Sequence, residues 1–355
     1  MPNPPGLPPP PRHPTPNRRT ALRTAGFLGG IGLIGALSGC GGAASAANSG
    51  KKVRYQGWPQ TVLFVELAHD LGYLPTAELE YIGNTTSGPQ DIQTVATGDA
   101  DVGHAFAGAV IKLVEAGADI TGVSNYYGSD DKTYVALYTA RNSTIKSPRD
   151  LIGKTIGMNT LGAHAEAFIY QYLSANGLAD KDISDITFVP IPPSDLEISV
   201  MRGHLDAAVI DGIAQDLARE HHNLRELGRD VAEFGAFPAG QMVMRREWIE
   251  ANPELARELA SGMDRAIRWA RQQPRETVVR RFTGIVRRRD RGEDPAPLQY
   301  WKSSGLTNGG VMRAEDFSRW SDWLRDGHII DGDVSPERYF TNSLIRNAAD
   351  TGSTT

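Results

Sequence analysis

The sequence predicts an α/β fold. From Val53 onward, short runs of β-branched and aromatic residues alternate with amphipathic helical stretches. Small-residue polar loops sit between them, each ending a strand and opening a helix. The 355-residue chain is also long enough for one or two domains with a substantial core.

The elements follow in order. Val53-Arg54-Tyr55 is a short strand, broken by Gly57-Trp58-Pro59. Leu63, Leu67 and Leu71, four apart, predict a helix over 61–71. A strand at 79–82 leads into the polar loop 83–88. The next helix has Pro89 in its first turn, with Ser87 and Gln90 at capping-box spacing. Gly98-Asp99-Ala100-Asp101-Val102-Gly103 closes that helix and starts a third strand. Ser147-Pro148-Arg149-Asp150 opens another helix, with serine as N-cap, proline at the first position and an acid in the first turn. A strand at 154–158, a loop at 159–162 and a helix at 163–175 come next. Phe168, Ile169, Tyr172 and Leu173 give that helix its apolar stripe. After a strand at 186–191, Ser194-Asp195-Leu196-Glu197 reads as a full capping box for a short helix that stops at Gly203. Residues 206–211 form the next strand. The remainder is mainly helical: Asn252-Pro253-Glu254 caps a helix running to Gln272, and 317–324 is amphipathic. The arginine-rich stretch 280–291 offers a contact for nucleic acid or lipid headgroups, but with Asp290, Glu293 and Asp294 interleaved it reads first as a solvated helix face and loop.

The first forty residues carry a different message. Arg18-Arg19 precedes an apolar, glycine-rich run over 25–37, and Leu37-Ser38-Gly39-Cys40 closes it. Charge, short apolar run and small residues describe an export signal, too short for a membrane span of roughly 20 residues. Twin arginines suggest the Tat route, and Leu-Ser-Gly-Cys resembles the lipobox of bacterial lipoproteins. A proline-rich tail with a chance cysteine is the competing reading. Gly30-Ile31-Gly32-Leu33-Ile34-Gly35 matches the dinucleotide fingerprint only by letter, since it follows no strand and opens no βαβ unit. The expected layout is a Tat-type lipoprotein signal peptide at 1–39, then lipidated Cys40 and a flexible linker at 40–52.

The chain carries net charge −5, and its leader holds four arginines and no acids, leaving about −9 beyond it. Such an acidic body is a poor partner for nucleic acid. With Cys40 the only cysteine, no disulfide and no CxxC metal or redox site can form. No cofactor and no metal is expected. A nucleophile elbow, an HExxH helix and a P-loop are all missing from the sequence.

Three places share one device, a strand end followed by a small-residue loop and a helix start: 57–61, 85–90 and 159–164. Each presents unpaired backbone N–H groups and the positive end of a helix, which suits an anion. In open α/β sheets such loops gather at the carboxyl ends of the strands, where ligands bind.

With these loops, Ser87-Gly88-Pro89-Gln90, the Gly98–Gly103 run and Ser147-Pro148-Arg149-Asp150-Leu151-Ile152-Gly153-Lys154 occur in a telling order. Pro192-Pro193-Ser194-Asp195 and Arg202-Gly203-His204-Leu205-Asp206-Ala207 extend it. Over 53–344 the chain resembles the solute-binding lipoproteins of ABC importers for aliphatic sulfonates, taurine and nitrate. The resemblance implies a two-lobed type II periplasmic-binding fold with a ligand cleft between lobes. Lobe I would comprise 53–133 and 241–355 and lobe II 134–240, with crossings at 133–139 and 237–244. It further implies a monomer that is not an enzyme, exported and held to the outer face of the membrane by Cys40. Such a protein captures a small anionic or zwitterionic solute, closes its lobes and delivers the solute to a permease and its ATPase. A same-fold sensor or adhesion module, or a binder of a thiamine-pyrimidine or riboflavin precursor, is the alternative.

Carried over by position, the pocket comprises Trp58, Pro59 and Gln60, then Ser87, Gly88 and Gln90, then His104 and Phe106. Thr160, Gly162, Ala163, His164 and Asp211 face them from lobe II. Amides at Gly88, Gln90, Gly162 and Ala163 would hold an oxyanion without burying a full charge. Trp58 either covers the ligand or packs its loop. His104 and His164 either donate to the ligand or serve the structure. Tyr126 and Tyr127 are cleft wall or lobe surface. Asp211 departs from the sulfonate-binding pattern, since a carboxylate in an anion pocket is costly unless paired with a cation. It either meets the ammonium of a zwitterion such as taurine, bonds backbone at the hinge, or caps the next helix.

Overall fold

A computed structural model describes residues 51–327, 329–332 and 335–346. The expected signal peptide, Cys40 and most of the linker lie outside the described residues. No helix among the described residues is long and apolar enough to cross a membrane.

The chain opens as a repeated strand–helix pattern: β1 Lys51–Gly57, α1 Phe64–Asp70, β2 Ala77–Asn84, α2 Gly88–Thr97, β3 Gly103–Phe106, α3 Ala107–Glu115 and β4 Ile120–Ser129. It then crosses to β5 Ala136–Ala140, a 3₁₀ turn Pro148–Leu151, β6 Thr155–Met158, α4 His164–Ala175, α5 Asp180–Ser184, β7 Thr187–Pro190, α6 Pro193–Met201, β8 Ala207–Ile210, α7 Gly212–His221 and β9 Leu224–Arg229. It returns through α8 Asp230–Phe234 and β10 Phe237–Arg245, and closes with α9 Arg246–Ala251, α10 Pro253–Gln272, α11 Arg275–Arg288 and α12 Glu315–Asp326.

These strands make two sheets. One runs β7-β6-β8-β5-β9. In the other, the parallel pair β1-β2 joins β3-β10-β4 through a parallel bridge between Tyr55 and Val102. Each sheet admits a strand arriving from the far side of a crossing: β10 runs antiparallel between β3 and β4, and β5 antiparallel between β8 and β9. Two lobes result, tied by reciprocal strand exchange.

Both sheets bury apolar residues on two faces. Tyr55, Leu67, Met263 and Phe282 belong to one core of the first sheet; Phe106, Val110, Phe317 and Trp320 belong to the other. In the second sheet, Leu137 joins Ile156, Phe168 and Leu173, while its neighbours Ala136 and Tyr138 join Leu196 and Ile210. That is the period-2 alternation of a strand covered on both sides.

Local chemistry sets the helix boundaries, and three differ from expectation. The helix expected after Ser147 is only a 3₁₀ turn, Pro148–Leu151, which ends at the extended Ile152. Helix α1 begins at Phe64, three residues late. Gln60 has φ 59° and the Thr61 N–H bonds to the Trp58 carbonyl, so 58–61 is a tight turn. Helix α6 starts at Pro193 with Pro192 as N-cap, so Ser194 lies inside the first turn and caps nothing. Proline's fixed φ pre-sets the first helical position, and the tandem prolines override the serine. The expected caps of α2 do form. Ser87 Oγ accepts the Gln90 N–H at 3.4 Å, and Gly98 closes the helix in the left-handed region at φ 86°.

The arginine-rich stretch corrects a further expectation. Arg280 and Arg287 are exposed, but Arg289 and Arg291 are folded inward. Glu66 is buried on α1 and draws Arg289 to 2.9 Å and Arg291 to 3.2 Å, and the Tyr55 hydroxyl donates to it at 2.8 Å. A carboxylate removed from water requires such partners, and the chain beyond α11 supplies them.

Candidate ligand site

Because β1, β2 and β3 run parallel, their carboxyl ends bring Trp58, Ser87 and Phe106 to one edge of the first sheet. The parallel strands β6 and β8 end at the 159–163 loop and at Asp211. These edges meet. The His164 ring, at the start of α4, stacks on Phe106 at 5.2 Å and 6° between planes. Phe237 and Trp320 meet the same imidazole edge-on at 5.6 and 6.0 Å. Beside it, a Cβ on Gly162 would lie 3.0 Å from the Lys112 ammonium of α3.

Carboxylates set the field around the two tyrosines of this cleft. Tyr126 and Tyr127 sit near the end of β4 with rings 4.7 Å apart. Burial pushes both phenols well above their ordinary range, and nearby carboxylates push further: Asp91 and Asp211 on Tyr126, Asp211 and Asp230 on Tyr127. Burial also raises the Asp211 carboxyl, against the pull of His164 and with the push of Asp230. Asp211 itself is an exposed residue directly after β8. Apart from His164, no cation figures among these influences.

Two buried aspartate–histidine pairs flank the cleft. Asp230 accepts from the Ser129 hydroxyl at 2.5 Å and lies 3.2 Å from His164 Nε2, whose N–H is not aimed at the oxygen. His164 Nδ1 is 3.5 Å from the Tyr127 hydroxyl. Asp91 takes the His104 backbone N–H at 2.7 Å, with the His104 ring Nδ1 3.5 Å away. Asp91 Oδ1, both His104 ring nitrogens, Asp230 Oδ1 and Trp58 Nε1 are buried without a hydrogen-bond partner. Each such orphaned polar atom marks a place where a further polar contact could be made.

The expected site residues take distinct positions. Phe106, His164 and Asp211 converge in the cleft, with Gly162 beside them. Ala163 is the buried N-cap of α4, and Thr160 is half-buried, its N–H held by Asn159. The Gly162 N–H donates to the Glu166 carboxylate, and the Gln90 N–H to Ser87, so both amides already have partners. The Gln90 side chain faces back to the Thr86 hydroxyl at 2.6 Å. Gly88 packs 3.0 Å (as an added Cβ) from Ala105 Cα, a close approach that favours glycine. Trp58 is partly buried against the first core, Pro59 is exposed, and the Gln60 N–H donates to Glu293 at 2.9 Å. His104 is fully enclosed, its ring 5.0 Å from Tyr126. Asp211 occupies the N-cap position of α7 yet makes no side-chain cap bond. Asp91, Asp230, Lys112 and Trp320 were not foreseen as site neighbours. No group of three or more metal-binding side chains occurs among the described residues.

Two α/β lobes sharing exchanged strands around a cleft at their strand ends define the two-lobed periplasmic-binding class. The NMT1/THI5-like family profile matches residues 61–277, and the chain belongs to that family. In fold it is similar to the periplasmic aliphatic sulphonate-binding protein SsuA of Escherichia coli, with TM-score 0.63 and 18% identity over 82% of this chain and 92% of that one. The alkanesulfonate-binding protein SsuA of Xanthomonas axonopodis pv. citri, bound to MOPS, gives 0.64 and 17% over 82% and 98%. The periplasmic nitrate-binding protein NrtA of Synechocystis PCC 6803 gives 0.66 and 12% over 86% and 90%. At these identities the likeness is one of fold. No curated protein matches the chain by sequence.

Proposed function

We propose that the protein is the extracytoplasmic solute-binding component of an ABC importer. It captures a small solute between lobes 53–133 with 241–355 and 134–240, closes on it, and delivers it to a permease and its ATPase. Cys40 is the proposed lipid anchor, the chain acts as a monomer, and no reaction is catalysed. Hinged closure of two lobes couples binding to a shape that a partner can read.

The observation that carries the ligand reading is Asp211. Its carboxylate caps no helix and has no hydrogen bond to another described residue, and its surroundings set the pull of His164 against burial and the push of Asp230. A bare anion such as nitrate gains little there, whereas a zwitterion brings its own cation. Taurine or another aminosulfonate fits, its ammonium toward Asp211 and its sulfonate toward the positive end of α4. The Tyr126–Tyr127 pair favours a second reading, a flat amino-bearing ring of the thiamine-pyrimidine kind stacked on an aromatic wall.

Calorimetric titration with taurine, ethanesulfonate, nitrate, an aminopyrimidine and riboflavin sorts these classes. Asp211→Asn is expected to weaken taurine about tenfold or more, the worth of one charge-assisted hydrogen bond, with little change for any ethanesulfonate binding. Equal weakening of both would remove the ammonium contact.

A further inference from the structure

A second concavity, of about 320 Å³, lies outside the cleft, where the segment after β4 meets the α10–α11 turn and the 301–307 loop. Lys132, Arg271, Arg275 and Lys302 line it against one carboxylate, Asp130. That carboxylate is engaged by neutral donors. Its Oδ1 accepts the backbone N–H groups of Lys132 at 2.8 Å and Thr133 at 2.9 Å, and its Oδ2 accepts the Ser303 hydroxyl. Arg275 donates to the carbonyls of Trp301 and Gln299, also neutral. Lys302 pairs with Asp216 on α7. Among the described residues, Lys132 and Arg271 have no carboxylate partner.

Counting Asp130 and Asp216 against the four cations leaves an excess of two positive charges, in a chain whose net charge is −5. The field comes from side chains. The negative end of α10 and the positive end of α11 meet here, so their dipoles oppose each other. Ser304 and Thr307, also in the lining, add hydroxyl donors.

We propose that this pocket binds a tetrahedral oxyanion of the phosphate or sulfate type. Arginine and lysine around a small concavity match such an anion's charge and its several acceptor oxygens. The volume is at the small end for ligand sites and suits an anion or a lipid headgroup rather than a longer chain. Lys302 also gives the site a consequence. It belongs to the first lobe by sequence and holds Asp216 on α7, beside a second contact in which the Tyr300 hydroxyl donates to Glu220. An oxyanion in the pocket competes with Asp216 for that ammonium and loosens the attachment of α7.

The experiment titrates inorganic phosphate into the purified full-length chain at constant ionic strength, reading calorimetry and melting temperature, with chloride as reference. Saturable binding is expected, weakened roughly tenfold by Lys132→Gln/Arg271→Gln, two exposed positions outside the cleft, and tightened several-fold by Asp216→Asn, which frees Lys302. Phosphatidylglycerol vesicles that retain the parent chain better than the double variant identify a lipid headgroup as the source; equal retention identifies the free anion. A phosphate response no greater than chloride's, or a double variant that binds phosphate as the parent does, overturns the proposal.

Discussion

Replacing Asp230 by alanine tests whether the buried pair at the hinge holds the lobes in register. Asp230 is fully buried, accepts the Ser129 hydroxyl at 2.5 Å and sits 3.2 Å from His164 Nε2. Removing it strands the buried Ser129 hydroxyl and takes the nearby carboxylate from the His164 imidazole, and breaking a buried pair from one side costs about 3–5 kcal/mol. His164→Phe preserves the aromatic packing against Phe106, Phe237 and Trp320, and the Ser129 hydroxyl still serves Asp230, so about 1–2 kcal/mol is expected. In the double variant both polar partners are gone. Its cost should fall short of the sum by about 1–3 kcal/mol, the coupling of residues in one network. Urea unfolding followed by tryptophan fluorescence is a suitable assay, because Trp320 lies 6.0 Å from the His164 ring. Additivity within about 0.5 kcal/mol would refute the coupling.

Three further outcomes are expected. Burial, partly offset by the Arg313 N–H and the Asn125 amide, raises the Asp316 carboxyl to about 6. The folded state therefore holds this proton more tightly than the unfolded chain, giving stability that is complete below about pH 4 and lost as pH rises through about 6. Asp316→Asn should flatten the pH dependence of unfolding between about 4 and 7 by roughly 2–3 kcal/mol, and parallel curves for the two proteins would contradict this. Gly305→Ala places a methyl against the Gly128 carbonyl and holds a side chain at φ 69°, so urea titration should give a loss of about 2–4 kcal/mol. Glu66→Gln removes the shared partner of Arg289 and Arg291, and a loss of about 3 kcal/mol is expected in the same assay.

Much of this architecture is legible locally. Ser87, Pro89 and Gly98 mark both ends of α2, and the small-residue loop before His164 places the start of α4 within one residue. Such signals work because capping and backbone conformation depend on a few adjacent residues. Contacts between distant segments leave no such trace. Asp230 and His164 meet because α4 and α8 pack against each other within the second lobe, and nothing around either residue names the other. Arg289 and Arg291 read as solvated because their partner, Glu66, lies more than two hundred residues away. The amide donors foreseen at Gln90 and Gly162 were legible as loop geometry, but the acceptors that occupy them, Ser87 and Glu166, belong to the same loops' own capping. The acidity of the cleft was visible in Asp211 alone; Asp91 and Asp230 joined it through tertiary structure.

The central claim is that the lobes close on a small zwitterionic solute. Small-angle scattering of the purified chain, with and without saturating taurine or ethanesulfonate, reads closure directly. The expected result is a smaller radius of gyration with taurine and a weaker response, or none, with ethanesulfonate. An unchanged scattering curve together with no calorimetric heat from any solute of the panel would contradict a solute-binding role.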